Sequence, residues 1–150
     1  MHAFRLAGKQ HFIPVNFNKE NIMASELFNK GIAIRREVLG AEYVDKSMKN
    51  VDEFSMAMQE YATETAWGLI WSRPGLPRKT RSLLNIGLLA AFNRQHEFKL
   101  HVKSSFGNGV TKDEIKEVLL QISCYAGVPA GIEAFRWAKE AFAEMEKENK

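Results

Sequence analysis

The run Ser82-Leu83-Leu84-Asn85-Ile86-Gly87-Leu88-Leu89-Ala90-Ala91-Phe92 decides the fold. Its apolar residues do not alternate as they would along a half-buried strand. They cover nearly every side of a helix, which predicts a buried central helix rather than a surface one. Upstream, Pro74-Gly75-Leu76-Pro77 is a firm break. Before it, Asn50 with Glu53 three residues on resembles a capping box and predicts a helix running to about Trp71. Earlier still, Leu27, Phe28, Ile34 and Val38 form an apolar stripe that Gly40 ends, and Ser25 is placed to cap its start.

Downstream, a helix is expected from about Arg94 to Gly107-Asn108-Gly109. Thr111 with Glu114 is a second capping box, followed by Ile115, Val118, Leu119 and Ile122 at helical spacing. Gly127-Val128-Pro129 breaks that helix, and Pro129 suits the first turn of the last one. There Ile132, Phe135, Phe142 and Met145 are expected to face inward, before a charged tail frays. No run sustains strand alternation, so the reading is all-α. Residues 23–150 form one helical domain, and residues 1–22, which lack apolar periodicity, read as an extension outside the core. Helices this apolar exceed what one small domain can cover, so burial against other subunits is expected.

The chain has 150 residues, 45% hydrophobic and 26% charged, with 10 Gly and 4 Pro. That is the composition of one globular domain and excludes collagen-like, low-complexity and wholly disordered chains. No uninterrupted apolar stretch approaches the ~18 residues of a membrane span. Cys124 is the single cysteine, which rules out an intramolecular disulfide and any CxxC chemistry. A reducing, cytoplasmic setting is expected, with Cys124 as a small buried hydrophobe.

The net charge of +3 is unevenly spread. Residues 1–22 hold three Lys or Arg against one Glu, leaving 18 basic and 17 acidic residues in the body. Within residues 73–103, however, seven basic side chains face Glu97 alone. Such a segment could attract an anionic small molecule or RNA, or could be a solvated face neutralised by acidic helices elsewhere.

Two groups could carry chemistry. Glu60, Glu64, Trp67 and Trp71 share one helical face, where burial beside indole would raise a carboxylate pKa. The competing reading is that the carboxylates pair with basic residues of another helix while the tryptophans fill space. Glu97 and His101, at i and i+4, can meet, so that the carboxylate orients the imidazole or raises its pKa. His96 lies about 140° round the helix from His101, so the two do not form an HxxxH metal pair. With only two ligands and no third of matching spacing, no metal site is expected, and His101 is better used as a general acid or hydrogen-bond donor.

Residues 31–142 resemble the carboxymuconolactone decarboxylase family, and its γ-carboxymuconolactone branch in particular. The resemblance rests on Ile34-Arg35-Arg36-Glu37-Val38-Leu39-Gly40, on Trp67 with Arg73-Pro74-Gly75-Leu76, and on Arg81-Ser82-Leu83-Leu84-Asn85. It continues through Asn93-Arg94, His96-Glu97, His101-Val102, Asn108-Gly109-Val110-Thr111 and Tyr125-Ala126-Gly127-Val128-Pro129-Ala130. It implies the alkylhydroperoxidase-like fold and an obligate homo-oligomer, a trimer or hexamer. Peroxidase members of that superfamily use a thiol pair, but here the matching positions are Arg94 and Glu97. His96 takes the place of the embedded histidine and Ser82 that of the upstream acid. Thiol peroxidase chemistry by that route is excluded.

The resemblance further implies cofactor-free decarboxylation of 4-carboxymuconolactone to the β-ketoadipate enol-lactone in protocatechuate catabolism. The substrate is then a small dicarboxylate lactone, with no nucleic acid or membrane partner. Arg81 and Arg94 would anchor the dianion, because guanidinium binds carboxylate bidentately. His101 or His96 would donate to the developing oxyanion and return a proton, with Glu97 setting the tautomer of His101. Trp67 and Trp71 would wall the pocket. The alternatives are a family member with another lactone or carboxylate substrate, or with none, and an RNA-binding helical protein using residues 73–103.

Overall fold

The computed structural model describes residues 25–148, and within them every regular element is a helix. The proposed extension 1–22 lies outside the described residues. α1 (Glu26–Leu39) begins where the Ser25 hydroxyl accepts the Phe28 amide at 3.0 Å. It ends at Gly40, whose φ of 92° is glycine territory. α2 (Ala41–Lys49) follows at once. The sequence reading missed it, although Ala41, Val44 and Met48 fall at i, i+3 and i+7; Val44 is its single buried residue.

α3 (Glu53–Ala62) opens two residues later than expected at its cap. Asn50 is consumed as the C-cap of α2, and the capping box is instead Asp52 with Ser55. The Ser55 amide donates to Asp52 Oδ1 at 2.8 Å, and the Asp52 amide donates to Ser55 Oγ at 3.2 Å. From Thr63 to Trp71 the helix widens into π form. Such segments are rare and tend to occur at functional sites. It packs hard against α1: a Cβ on Gly31 would stand 2.2 Å from the Thr63 carbonyl oxygen, and one on Gly68 would stand 2.4 Å from that of Leu27. Two glycines thus let the helix backbones touch, an approach that no larger residue permits.

α4 (Arg78–Ala91) is only half the buried helix expected from its composition. Ser82, Ile86, Gly87 and Ala90 are buried, whereas Leu84 and Leu88 are 51% and 52% exposed. Asn93, at φ 57°, turns the chain into α5 (Gln95–Ser105), of which Arg94 is the N-cap. α6 (Lys112–Tyr125) has the expected capping box, with the Thr111 amide donating to Glu114 Oε2 at 2.9 Å and the Glu114 amide to Thr111 Oγ1 at 3.2 Å. α7 (Val128–Glu148) carries Pro129 in its first turn.

Ile86, Phe98, Val102, Ile115, Leu119 and Trp137 form the centre of an α4–α7 core. Ile34, Val38, Trp67 and Trp71 make a second, smaller cluster between α1 and the π-helix. One inward assignment in α7 fails: Ile132 is 63% exposed, and Ala134, Trp137, Ala138 and Ala141 take the buried stripe. Cys124 is exposed rather than buried, because it lies on the outer side of the last turn of α6.

The basic stretch is largely neutralised. Lys99 pairs with Glu140 and Glu144, and Lys103 with Glu144 at 2.7 Å and Glu148 at 3.0 Å. Lys79 meets Glu114 at 2.7 Å, and Arg78 meets Glu37. Four of the seven basic residues thus belong to a solvated, paired face, while Arg73, Arg81 and Arg94 make no ion pair among the described residues. Among the described residues no helix is long and apolar enough to cross a membrane.

Candidate active site

His101 sits where the two apolar clusters meet, and its neighbours are the tryptophans of the π-helix. Its ring lies 6.3 Å from that of Trp67, nearly parallel at 7°, and 6.4 Å from that of Trp71 at 26°. The two indoles are themselves 5.0 Å apart. α5 can present His101 this way because Phe98 and Val102, on the adjoining face, are completely buried and hold the helix in the core. Both tryptophans are buried in turn, packed with Ile34 and Val38 of α1.

This surrounding decides the protonation state of His101. Burial removes water from the imidazolium and pushes the pKa down from 6.5 to about 4, while the Glu97 carboxylate pulls upward by a smaller amount. At neutral pH the imidazole is therefore uncharged. Nδ1 is sealed from solvent and has no hydrogen-bond partner. A buried unpaired N–H is costlier than a buried unpaired lone pair, which can find weak compensation, so the proton belongs on Nε2. Glu97 is exposed and makes no hydrogen bond to Nδ1. Its influence on His101 is Coulombic.

The other expected site residues fall into two groups. Arg81, on α4, donates from Nη2 to the Arg73 carbonyl at 3.2 Å, and its Nε is buried without a partner. No carboxylate among the described residues neutralises it, so its guanidinium keeps capacity for an anion. Arg94 is exposed at the cap of α5. His96 is not brought to His101 by any contact. It lines a separate cavity of about 790 Å³ with Leu39, Tyr43, Lys99, Lys103 and Glu144. His101, Trp67, Trp71 and Arg81 are not among the residues that line that cavity. Glu64 accepts a hydrogen bond from the Ser25 hydroxyl. Among the described residues no group of three or more His, Cys, Asp or Glu converges as a metal site would require.

One charged residue escaped the sequence reading. Arg35 is buried at 8% exposure and donates to Gln59 at 2.8 Å and Thr63 at 3.4 Å, with Nε unpartnered. Burial lowers its pKa, against an opposing contribution from Tyr43. The signal was present: Gly31, Ile34, Arg35 and Val38 fall at i, i+3, i+4 and i+7, so the arginine stands within the buried stripe of α1.

A 4-carboxymuconolactone decarboxylase of Acinetobacter baylyi is 45% identical over 127 residues, 82% of this chain and 95% of the relative. A nitrosuccinic acid decarboxylase of Metarhizium robertsii is 43% identical over 119 residues, 79% of this chain and 83% of that protein. The model of the carboxymuconolactone decarboxylase family matches residues 57–140, which hold the π-helix, α4, α5 and α6. With its family model spanning the tryptophans and His101, the chain belongs to the carboxymuconolactone decarboxylase family.

Proposed function

We propose that the protein is a carboxy-lyase that removes CO₂ from 4-carboxymuconolactone and gives the β-ketoadipate enol-lactone. The observation that carries this reading is the likeness to the Acinetobacter enzyme, which extends over almost that protein's whole length. The departing carboxylate sits on a carbon conjugated through the ring alkene to the lactone carbonyl. Its bonding electrons therefore move to that oxygen as CO₂ leaves, and the substrate is its own electron sink. The dianion then takes up one proton at carbon, and a monoanion and CO₂ result.

The protein's part is to hold the dianion and stabilise the forming oxyanion. His101 donates to that oxygen through Nε2–H, as a neutral imidazole rather than an imidazolium. The proton that carbon takes up comes from bulk solvent in a separate step after CO₂ has left, so one proton is consumed per turnover. Trp67 and Trp71 exclude water from the oxyanion, which strengthens the single hydrogen bond. Arg81 and Arg94 anchor carboxylates, and Glu97 tunes His101 through space.

The Metarhizium relative supports a second reading of the substrate. In nitrosuccinate the leaving carboxylate shares its carbon with a nitro group, and the electrons move to a nitro oxygen. Both reactions ask for the same thing, a donor at an oxygen conjugated to the carbon that loses CO₂. The protein is also proposed to work in the cytoplasm as a homo-oligomer, a trimer or hexamer, since so many large apolar side chains stand exposed. The deciding experiment offers each acid separately to the purified protein and follows CO₂ release. Turnover of the lactone supports the first reading, turnover of nitrosuccinate alone supports the second, and a folded protein inert to both refutes them.

A further inference from the structure

Two apolar surfaces have no partner among the described residues, and they complement each other. The first is α3. It buries none of its residues, and Phe54, Met58 and Tyr61, at i, i+4 and i+7, are 93%, 61% and 63% exposed. A ten-residue helix does not hold its shape from propensity alone, and an amphipathic helix owes most of its stability to burying its apolar face. The second surface is a groove of about 450 Å³ between α4 and α6, lined by Leu83, Leu84, Leu88, Val118 and Ile122. Gly87 at its floor keeps it open, since a Cβ there would already touch Val118 at 3.4 Å.

The segments that lead into these surfaces differ in charge. Residues 51–72 contain Asp52, Glu53, Glu60 and Glu64 and no Lys, Arg or His. Residues 73–81, at the end of the groove, contain Arg73, Arg78, Lys79 and Arg81 and no Asp or Glu, and Glu117 is the single charged residue among the groove's own lining. Arg78 and Lys79 are paired within the chain, while Arg73 and Arg81 have no carboxylate among the described residues. Two acidic α3 helices would repel one another, and so would two basic groove rims.

We propose that the apolar stripe of α3 in one copy docks into the α4–α6 groove of a second copy, a head-to-tail contact between unlike surfaces. This deepens, and rests on, the homo-oligomer reading above. A head-to-tail contact closes into a ring when the rotation permits. The seam joins the helix that continues into Trp67 and Trp71 to the helix that bears Arg81, so the site elements of neighbouring copies become linked.

The test uses two double variants of the full chain, Phe54→Asp with Met58→Asp and Leu84→Asp with Leu88→Asp. All four positions are more than half exposed, so the fold should survive, and far-UV circular dichroism checks it. Serine at the same positions serves if aspartate unfolds the chain. In analytical ultracentrifugation each variant alone should sediment well below the wild type. An equimolar mixture should form a complex absent from either, because one variant keeps an intact groove and the other an intact stripe. Either variant retaining the wild-type mass, a mixture giving no new species, or a wild type that sediments as a single chain would overturn the proposal. A wild type that assembles but releases no CO₂ refutes the function and leaves this contact standing.

Discussion

Acidification should charge His101 at a cost to stability that can be worked from its surroundings. An unfolded imidazole takes its proton near pH 6.5, whereas the folded one, covered by Trp67 and Trp71, waits until about pH 4. Between those values the unfolded chain binds more protons than the folded chain, so stability falls as pH falls and levels off below about 4. The difference, from 6.5 to about 4, corresponds to roughly 3 kcal/mol, or about a hundredfold or more in the folding equilibrium constant. Replacing His101 with Leu removes the titrating group and keeps an apolar filling. Urea unfolding at fixed protein concentration, at pH 7, 6, 5 and 4, should show the wild type losing about 3 kcal/mol more than the variant over that range. The other carboxylates titrate in both proteins and drop out of the difference. Parallel curves would refute the idea that His101 is buried as a neutral base, and with it the neutral-donor mechanism.

Four further outcomes follow. Because kcat/KM reports groups of the free enzyme, it should be flat from about pH 5.5 to 8; a decline centred near pH 6.5 would mean that imidazolium is required. His101→Asn should lower kcat by about 10²-fold or more, the usual loss when an oxyanion donor is misplaced, while His96→Asn, in its separate cavity, should stay near wild type; the reverse order would move the donor to His96. Arg81→Gln should raise KM for the dianion, measured by steady-state CO₂ release, and an unchanged KM would remove Arg81 from the anchoring set. Gly31→Ala puts a Cβ where the Thr63 carbonyl oxygen stands, and should cost about 1–3 kcal/mol in urea unfolding and alter tryptophan fluorescence. Wild-type stability in that variant would contradict the close crossing of α1 and the π-helix.

Elements whose ends are set by local chemistry were legible in the sequence. Ser25, Gly40, the Thr111–Glu114 pair and Pro129 each act within a few residues, and each does what its side chain predicts. Asn50 was not, because two short helices competed for it and α2 took it as a C-cap. The π-helix was equally hidden: its wider turn depends on contact with α1 through Gly31 and Gly68, which no local pattern records. The apolar run of residues 82–92 identified a helix correctly but overstated its burial, since composition cannot separate a core from an exposed apolar face. For the site, Trp67, Trp71 and His101 were named singly. That α5 lays the imidazole across both indoles is a tertiary fact, and it reverses the balance at His101 from elevation by Glu97 to depression by burial.

The central claim is best tested by CO₂ release from freshly generated 4-carboxymuconolactone with the purified protein, dialysed against a metal chelator. The account predicts multiple turnovers, with one CO₂ for each lactone consumed and one proton taken up. A folded protein that leaves the lactone untouched, or that works only when a metal is restored, would contradict it.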